Sequence, residues 1–161
     1  MTEQPMPAEI EAYAFFLADH AVVENGKLYV NGGFWNQVYS AEYPVVRTFG
    51  LAAVLHIPWR MHHHEHEFAV TFEDADSRPL AARFEGQFRV GTSPRMRVGD
   101  FTVMPVAAFV TNFVLDRPGD YAAVLHVDGT ELARWRFRAI EAPDPVSGTG
   151  AGPGAARPDA P

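Results

Sequence analysis

Four of the seven histidines in this 161-residue chain fall within five positions, in Met61-His62-His63-His64-Glu65-His66-Glu67. Imidazole is the side chain that zinc, copper and nickel take most readily. In an extended chain, residues two apart share a face about 7 Å from one another, twice the strand rise. His62, His64 and His66 are therefore the candidate ligands for zinc or another transition metal, with His63, Glu65 and Glu67 on the other face. A catalytic zinc needs a third protein ligand and an open position. His20, His56, His126 and nearby carboxylates qualify by type only. The plainer reading is a solvated polar loop after Pro58-Trp59 that needs no cofactor.

Other chemistry has less to work with. The His spacing departs from the cupin pattern, since Phe68 and Val70 stand where that architecture needs its Glu. Ser40, Ser77, Ser93 and Ser147 are the only serines, and none sits in a Gly-x-Ser-x-Gly elbow. Glu73, Asp74 and Asp76 lie in an acidic stretch that reads as a turn. Gly32-Gly33 lacks the ending and helix of a phosphate loop. Arg134, Arg136 and Arg138 form a basic stripe that could grip an acidic partner or pair with neighbouring carboxylates. Phe34, Trp35 and Trp59 sit at strand ends, as interface anchors if exposed and as plugs if buried.

The elements that position these residues are strands. Asn25-Gly26 and Asp128-Gly129 are hairpin turns, and Gly32-Gly33 marks a bulge or close approach. Val45–Ile57 reads as one long strand with Phe49, Leu51, Ala53, Leu55 and Ile57 toward the core. Phe68–Phe72 and Leu80–Val90 alternate with period two, the latter sending Phe84 and Phe88 inward. Phe101–Leu115 supplies one or two buried strands. Tyr13–Ala18 fits a strand better than a helix, because Phe15-Phe16 favours β structure. In the closing hairpin, strict alternation from Asp128-Gly129 would put three arginines in the core. An extra residue near Ala133-Arg134 repairs this, turning Leu132, Trp135, Phe137 and Ala139 inward.

Composition sets the limits. With 47% hydrophobic residues, the chain can bury a core without staples, and it has no cysteine, which excludes disulfides and thiolate sites. A net charge of −7 argues against nucleic acid as a partner. No apolar run reaches the ~18 residues of a spanning helix, and the N-terminus lacks a positive leader. Cytoplasmic location and no membrane partner are expected. Residues 1–8 are expected to be flexible and 9–141 to form the domain. The Pro/Gly/Ala-rich stretch 142–161 is expected to be a disordered tail.

The order of the motifs resembles an uncharacterised bacterial domain-of-unknown-function family of small β-sandwich proteins. GKLYVNGG, the IPW strand end, and the closing PGDY…VDGTELA hairpin carry the likeness over about Ala12 to Ile140. It implies a sandwich and no known activity. It also implies a single His near His66, which makes His62-His63-His64 a departure and argues against an inherited metal site.

The sequence thus predicts an all-β, two-sheet antiparallel sandwich, immunoglobulin-like, of about eight strands. Its function reads as a non-enzymatic binding or protein-interaction module acting through strand-end loops. The alternatives are a metal-binding protein or metal-dependent enzyme, and a structural subunit of a larger assembly. Protein is the expected partner, and the oligomeric state is left open.

Overall fold

The computed structural model describes residues 9–143. One sheet holds β2 (Lys27–Gly33), β1 (Glu11–Glu24), β4 (Val45–Pro58) and β7 (Phe101–Leu115), in that order. The other holds β3 (Gln37–Ser40), β9 (Thr130–Glu141), β8 (Gly119–Val127), β5 (Glu65–Asp74) and β6 (Pro79–Arg89). The two sheets enclose one main core, so the chain is the expected all-β sandwich, with nine strands among the described residues where about eight were expected. The additional strand is β3, four residues that run parallel to β9. Among the described residues no helix is long and apolar enough to cross a membrane. Residues 1–8 and 144–161, read above as flexible ends, lie outside the described residues.

Local sequence explains most of the pairing. Asn25-Gly26 and Asp128-Gly129 have positive φ at both positions, 49° and 72° in the first and 50° and 78° in the second. That is the two-residue turn whose twist matches the strands it joins. The five β4 residues expected inside are all in the core, with the rings of Phe49, Phe72 and Phe113 packed at 4.7–6.0 Å. A fully buried side chain of this kind contributes roughly 1.5–3 kcal/mol.

Two bulges then reset the faces. In β9, Leu125 faces Ala133 and His126 faces Glu131, so Leu132 is the extra residue. Phe137 and Ala139 are buried, Trp135 is half-buried, and the three arginines point outward, as the core's intolerance of charge requires. In β7 the register slips beside Asn112, whose φ is +54°. Inward positions switch there from even numbers, ending at Val110, to odd ones, Phe113 and Leu115. Tyr121 closes the turn before β8 by donating its hydroxyl to the Arg117 carbonyl at 2.7 Å.

One sequence expectation fails here. Phe101–Leu115 is a single strand and is not buried throughout. It lies at a sheet edge, and Phe101, Val103, Phe109 and Val114 are 40–53% exposed. A strand in a sandwich has one face on the core, and a mostly apolar, uncharged sequence hides which face that is.

Candidate functional site

The histidine run does not lie in an extended strand. A 3₁₀ turn at Trp59–Met61 follows β4, and His63 then takes φ +64°, so the two-residue alternation is broken before β5 begins. His62 and His66 are both 3% exposed, whereas His63 and His64 face solvent. His62 Nε2 lies 3.3 Å from the Ile57 carbonyl and 3.2 Å from Thr102 Oγ1. His63 Nε2 lies 2.8 Å from Thr92 Oγ1.

His66 has a more telling environment. Its Nδ1 donates to Asp128 Oδ2 at 2.7 Å and its Nε2 donates to the Met61 carbonyl at 2.8 Å. A carboxylate and a carbonyl can only accept, so both ring nitrogens carry protons and the ring is an imidazolium. Burial pulls its pKa down, but the Met61 carbonyl and the Asp128 carboxylate outweigh that, and the net direction is upward from 6.5. Burial conversely pushes the Asp128 carboxyl up. The hydrogen bonds from His66 and from the Glu67 N–H, with the His66 charge, reverse this and hold it below its ordinary value. Asp128 belongs to the β8–β9 turn, and its backbone N–H also donates to the Glu67 carbonyl at 2.8 Å. The pair therefore ties that turn to the start of β5.

In this arrangement both ring nitrogens of His66 are engaged by Asp128 and Met61. His62, His64 and His66 do not converge, and among the described residues no three His, Cys, Asp or Glu side chains are placed to hold an ion.

The arginine stripe is largely neutralised. Arg134 bonds both oxygens of Glu131 at 2.9 and 3.0 Å and also pairs with Glu73. Those two carboxylates hold its pKa above the ordinary guanidinium value. Arg138 grips Asp120 with two nitrogens, at 2.6 and 3.3 Å. Arg136 has no ion pair among the described residues. It lines a groove of about 600 Å³ with Glu73, Asp74, Asp120 and the other two arginines. Within that groove Arg134 pairs with Glu73 and Arg138 with Asp120, which leaves Arg136 as its unpaired cation among the described residues.

The aromatic trio divides. Trp35 is half-buried between the sheets, edge-on to Phe49 at 5.5 Å and Phe137 at 6.2 Å. Its buried Nε1 has no partner, which costs free energy but suits a residue placed there for bulk. Trp59 is half-buried beside His62. Both act as plugs. Phe34 alone stands out, 65% exposed with φ +66°. Its ring stacks on Phe16 at 4.0 Å and meets the edge of Trp135 at 5.8 Å. Trp135 in turn donates its Nε1–H to the Trp35 carbonyl at 3.0 Å.

Tyr29 and Val30, on the β2 edge strand that leads to Phe34, are exposed as well. Sequence reasoning passed over them, though the signal was present: β2 alternates poorly and ends in Gly32-Gly33, a sign that its side chains lack a core to face.

Comparison with known proteins adds a family. No curated protein matches the chain. Among solved structures it is similar to the Pseudomonas fluorescens alkylpurine DNA glycosylase AlkC bound to DNA containing an abasic site analog. Identity is 12% and the TM-score 0.46, over 83% of this chain and 31% of that one. A likeness at that level assigns this chain no ligand. The expectation of no nucleic-acid partner is nonetheless withdrawn, because whole-chain charge does not fix the sign of a local face. Residues 13–140 match the model of a family of unknown function, DUF6941, in line with the resemblance carried by GKLYVNGG, IPW and PGDY…VDGTELA.

Proposed function

Since the chain belongs to this family of unknown function, we propose from its own surface that it is a non-enzymatic binding module acting on protein through the loop after β2. The observation that carries the reading is Phe34. A bulky residue in the left-handed region is strained by 1–3 kcal/mol, on the order of a hydrogen bond or two, and persists where the surroundings hold it. Here stacking on Phe16 and the Phe34 N–H bond to the Leu17 carbonyl at 2.9 Å hold an aromatic ring out in solvent. Exposed, pre-ordered aromatics of this kind are the usual anchors of protein interfaces.

Support for an immunoglobulin-like assignment comes from two features: the tyrosine corner at Tyr121 and the strand crossing between sheets that sets β3 beside β9. The lack of cysteine supports a reducing, cytoplasmic setting. Full-length wild type and Phe34→Ala, each immobilised, test the reading on extract from the source cells with and without nuclease. A protein retained by wild type and weakened ten-fold or more by Phe34→Ala, with cooperative melting kept, is the expected result. Equal retention by both overturns it, as does retention that vanishes with nuclease.

A further inference from the structure

The edges of the four-stranded sheet are β2 and β7. β7 is 15 residues long and carries no charged residue from Phe101 to Leu115. Soluble proteins normally blunt such an edge with charge, a bulge or a cover. β7 lacks charge; it has Pro105 and the bulge at Asn112, and the His20 ring of β1 reaches its outer face at Phe109, with centroids 5.9 Å apart.

Pro105 reveals which backbone groups are free. Proline has no N–H to give, so within a strand its nitrogen faces the unpaired side. Backbone direction alternates with period two in an antiparallel ladder. Val103, Ala107 and Phe109 therefore also present their N–H and C=O groups to the open edge. Their side chains line the outer face, where Val103 and Phe109 are each 53% exposed.

We infer that β7 is a self-association edge, and that a second copy of this chain pairs with it antiparallel about a two-fold axis at Ala107. The register follows from the residues. Ala107 meets its own copy and exchanges two backbone hydrogen bonds. Phe109 meets Pro105 of the other copy, and its N–H bonds the Pro105 carbonyl, the one backbone group Pro105 retains. The Phe109 ring lies over the proline ring, large against flat, and the two-fold axis repeats the contact.

Charge selects the same occupant. Each copy carries −7, which opposes the approach of a second copy least along an edge without charge, and β7 is the long edge that lacks it. Area sets the strength. A 15-residue strand runs about 50 Å. With an edge roughly 10 Å thick, the overlap of residues 101–113 about Ala107 buries on the order of 900 Å² in total, at the weak end for a specific interface. The dimer is accordingly concentration-dependent.

The test is analytical ultracentrifugation of the full chain from about 1 μM to 1 mM, beside the double variant V103K/F109K, with amide exchange on wild type at both ends of the range. The expected mass rises from 17.8 kDa toward twice that value in wild type and stays at one chain in the variant. The amides of Ala107 and Phe109 exchange at least ten-fold more slowly at high concentration. A wild type that is monomeric throughout overturns the proposal, and so does a dimer that survives both lysines. Should the variant not fold, exchange decides: amides whose rates ignore concentration overturn it. Phe34→Ala leaves this association unchanged, so the proposal stands or falls apart from the binding reading above.

Discussion

β6 and β7 are both long edge strands, and they handle exposure in opposite ways. β6 alternates strictly, with Arg83, Glu85, Gln87 and Arg89 outward, and Arg83 pairs with Glu85 on its own strand. Its one weak point is Gly86, which the Phe68 ring covers so closely that a Cβ would sit 2.5 Å from Phe68 Cε1. β7 has apolar residues on both faces and no charge. The same contrast extends over the sheets. The five-stranded sheet wears cross-strand ion pairs such as Arg138–Asp120. The four-stranded sheet wears rings, with His56 stacked between Tyr13 and Phe101 at 4.7 and 4.5 Å. Edge charge is therefore not a requirement of this fold. It is applied on β6 and withheld on β7, which is the pattern expected when one edge is kept for contact.

The contrast should stop at the core. Phe72→Ala on β5 and Phe113→Ala on β7 are expected to cost similar amounts, about 3–5 kcal/mol each, in one cooperative urea transition. Two separable transitions would show that the sheets differ inside as well as out. Next in size is Asp128→Asn, which keeps the turn but removes the charge facing His66, at a cost of about 1–2 kcal/mol read from denaturation near pH 6.

That variant should also flatten the pH dependence. His66 is raised, so its contribution is full below its ordinary 6.5 and fades as pH climbs through the raised value. Asp128 is lowered, so its contribution is full above its ordinary 3.8 and fades as pH falls through the depressed value. Wild type should be most stable between those limits. A wild-type melting temperature that does not fall above neutral pH would contradict the imidazolium assignment.

Smaller still, Arg134→Gln on the charged face should cost about 0.5–1 kcal/mol, with most of the loss erased in high salt. The smallest stability effect is expected from Val103→Lys, which gives β7 the protection β6 already has. It should stay within about 0.5 kcal/mol of wild type and should improve solubility at high concentration. A large destabilisation would mean that Val103 is packed, contrary to the contrast.

Much of the fold was legible because period and turn chemistry agree along β4, β6 and the two hairpins. The β9 bulge was legible from a conflict, since three arginines cannot share a core with Tyr121. β3 was not, because Gln37–Ser40 is short and pairs with a strand about a hundred residues away. The histidine site was half legible. Type and clustering were visible, but the left-handed turn at His63 cannot be read from a run of identical residues, and it decides which rings enter the protein. The partner of His66 sits 62 residues away, in a hairpin turn whose aspartate is explained locally by its positive φ. Phe34 and Trp35, adjacent and alike, are separated only by the left-handed backbone at Phe34, where the chain passes from β2 in one sheet to β3 in the other.

The place of β9 bears on how the protein is made. It lies between β3 and β8 in the five-stranded sheet, yet it is the strand that leaves the ribosome after all the others described. Until about residue 141 has emerged, β3 has nothing to pair with and β8 lacks one neighbour, while the four-stranded sheet is already complete by residue 115. Synthesis at ~5–20 residues per second therefore leaves a window of one to several seconds in which a finished sheet waits with only β5 and β6 to cover its inner face, and that interval is when a nascent-chain chaperone has most to protect.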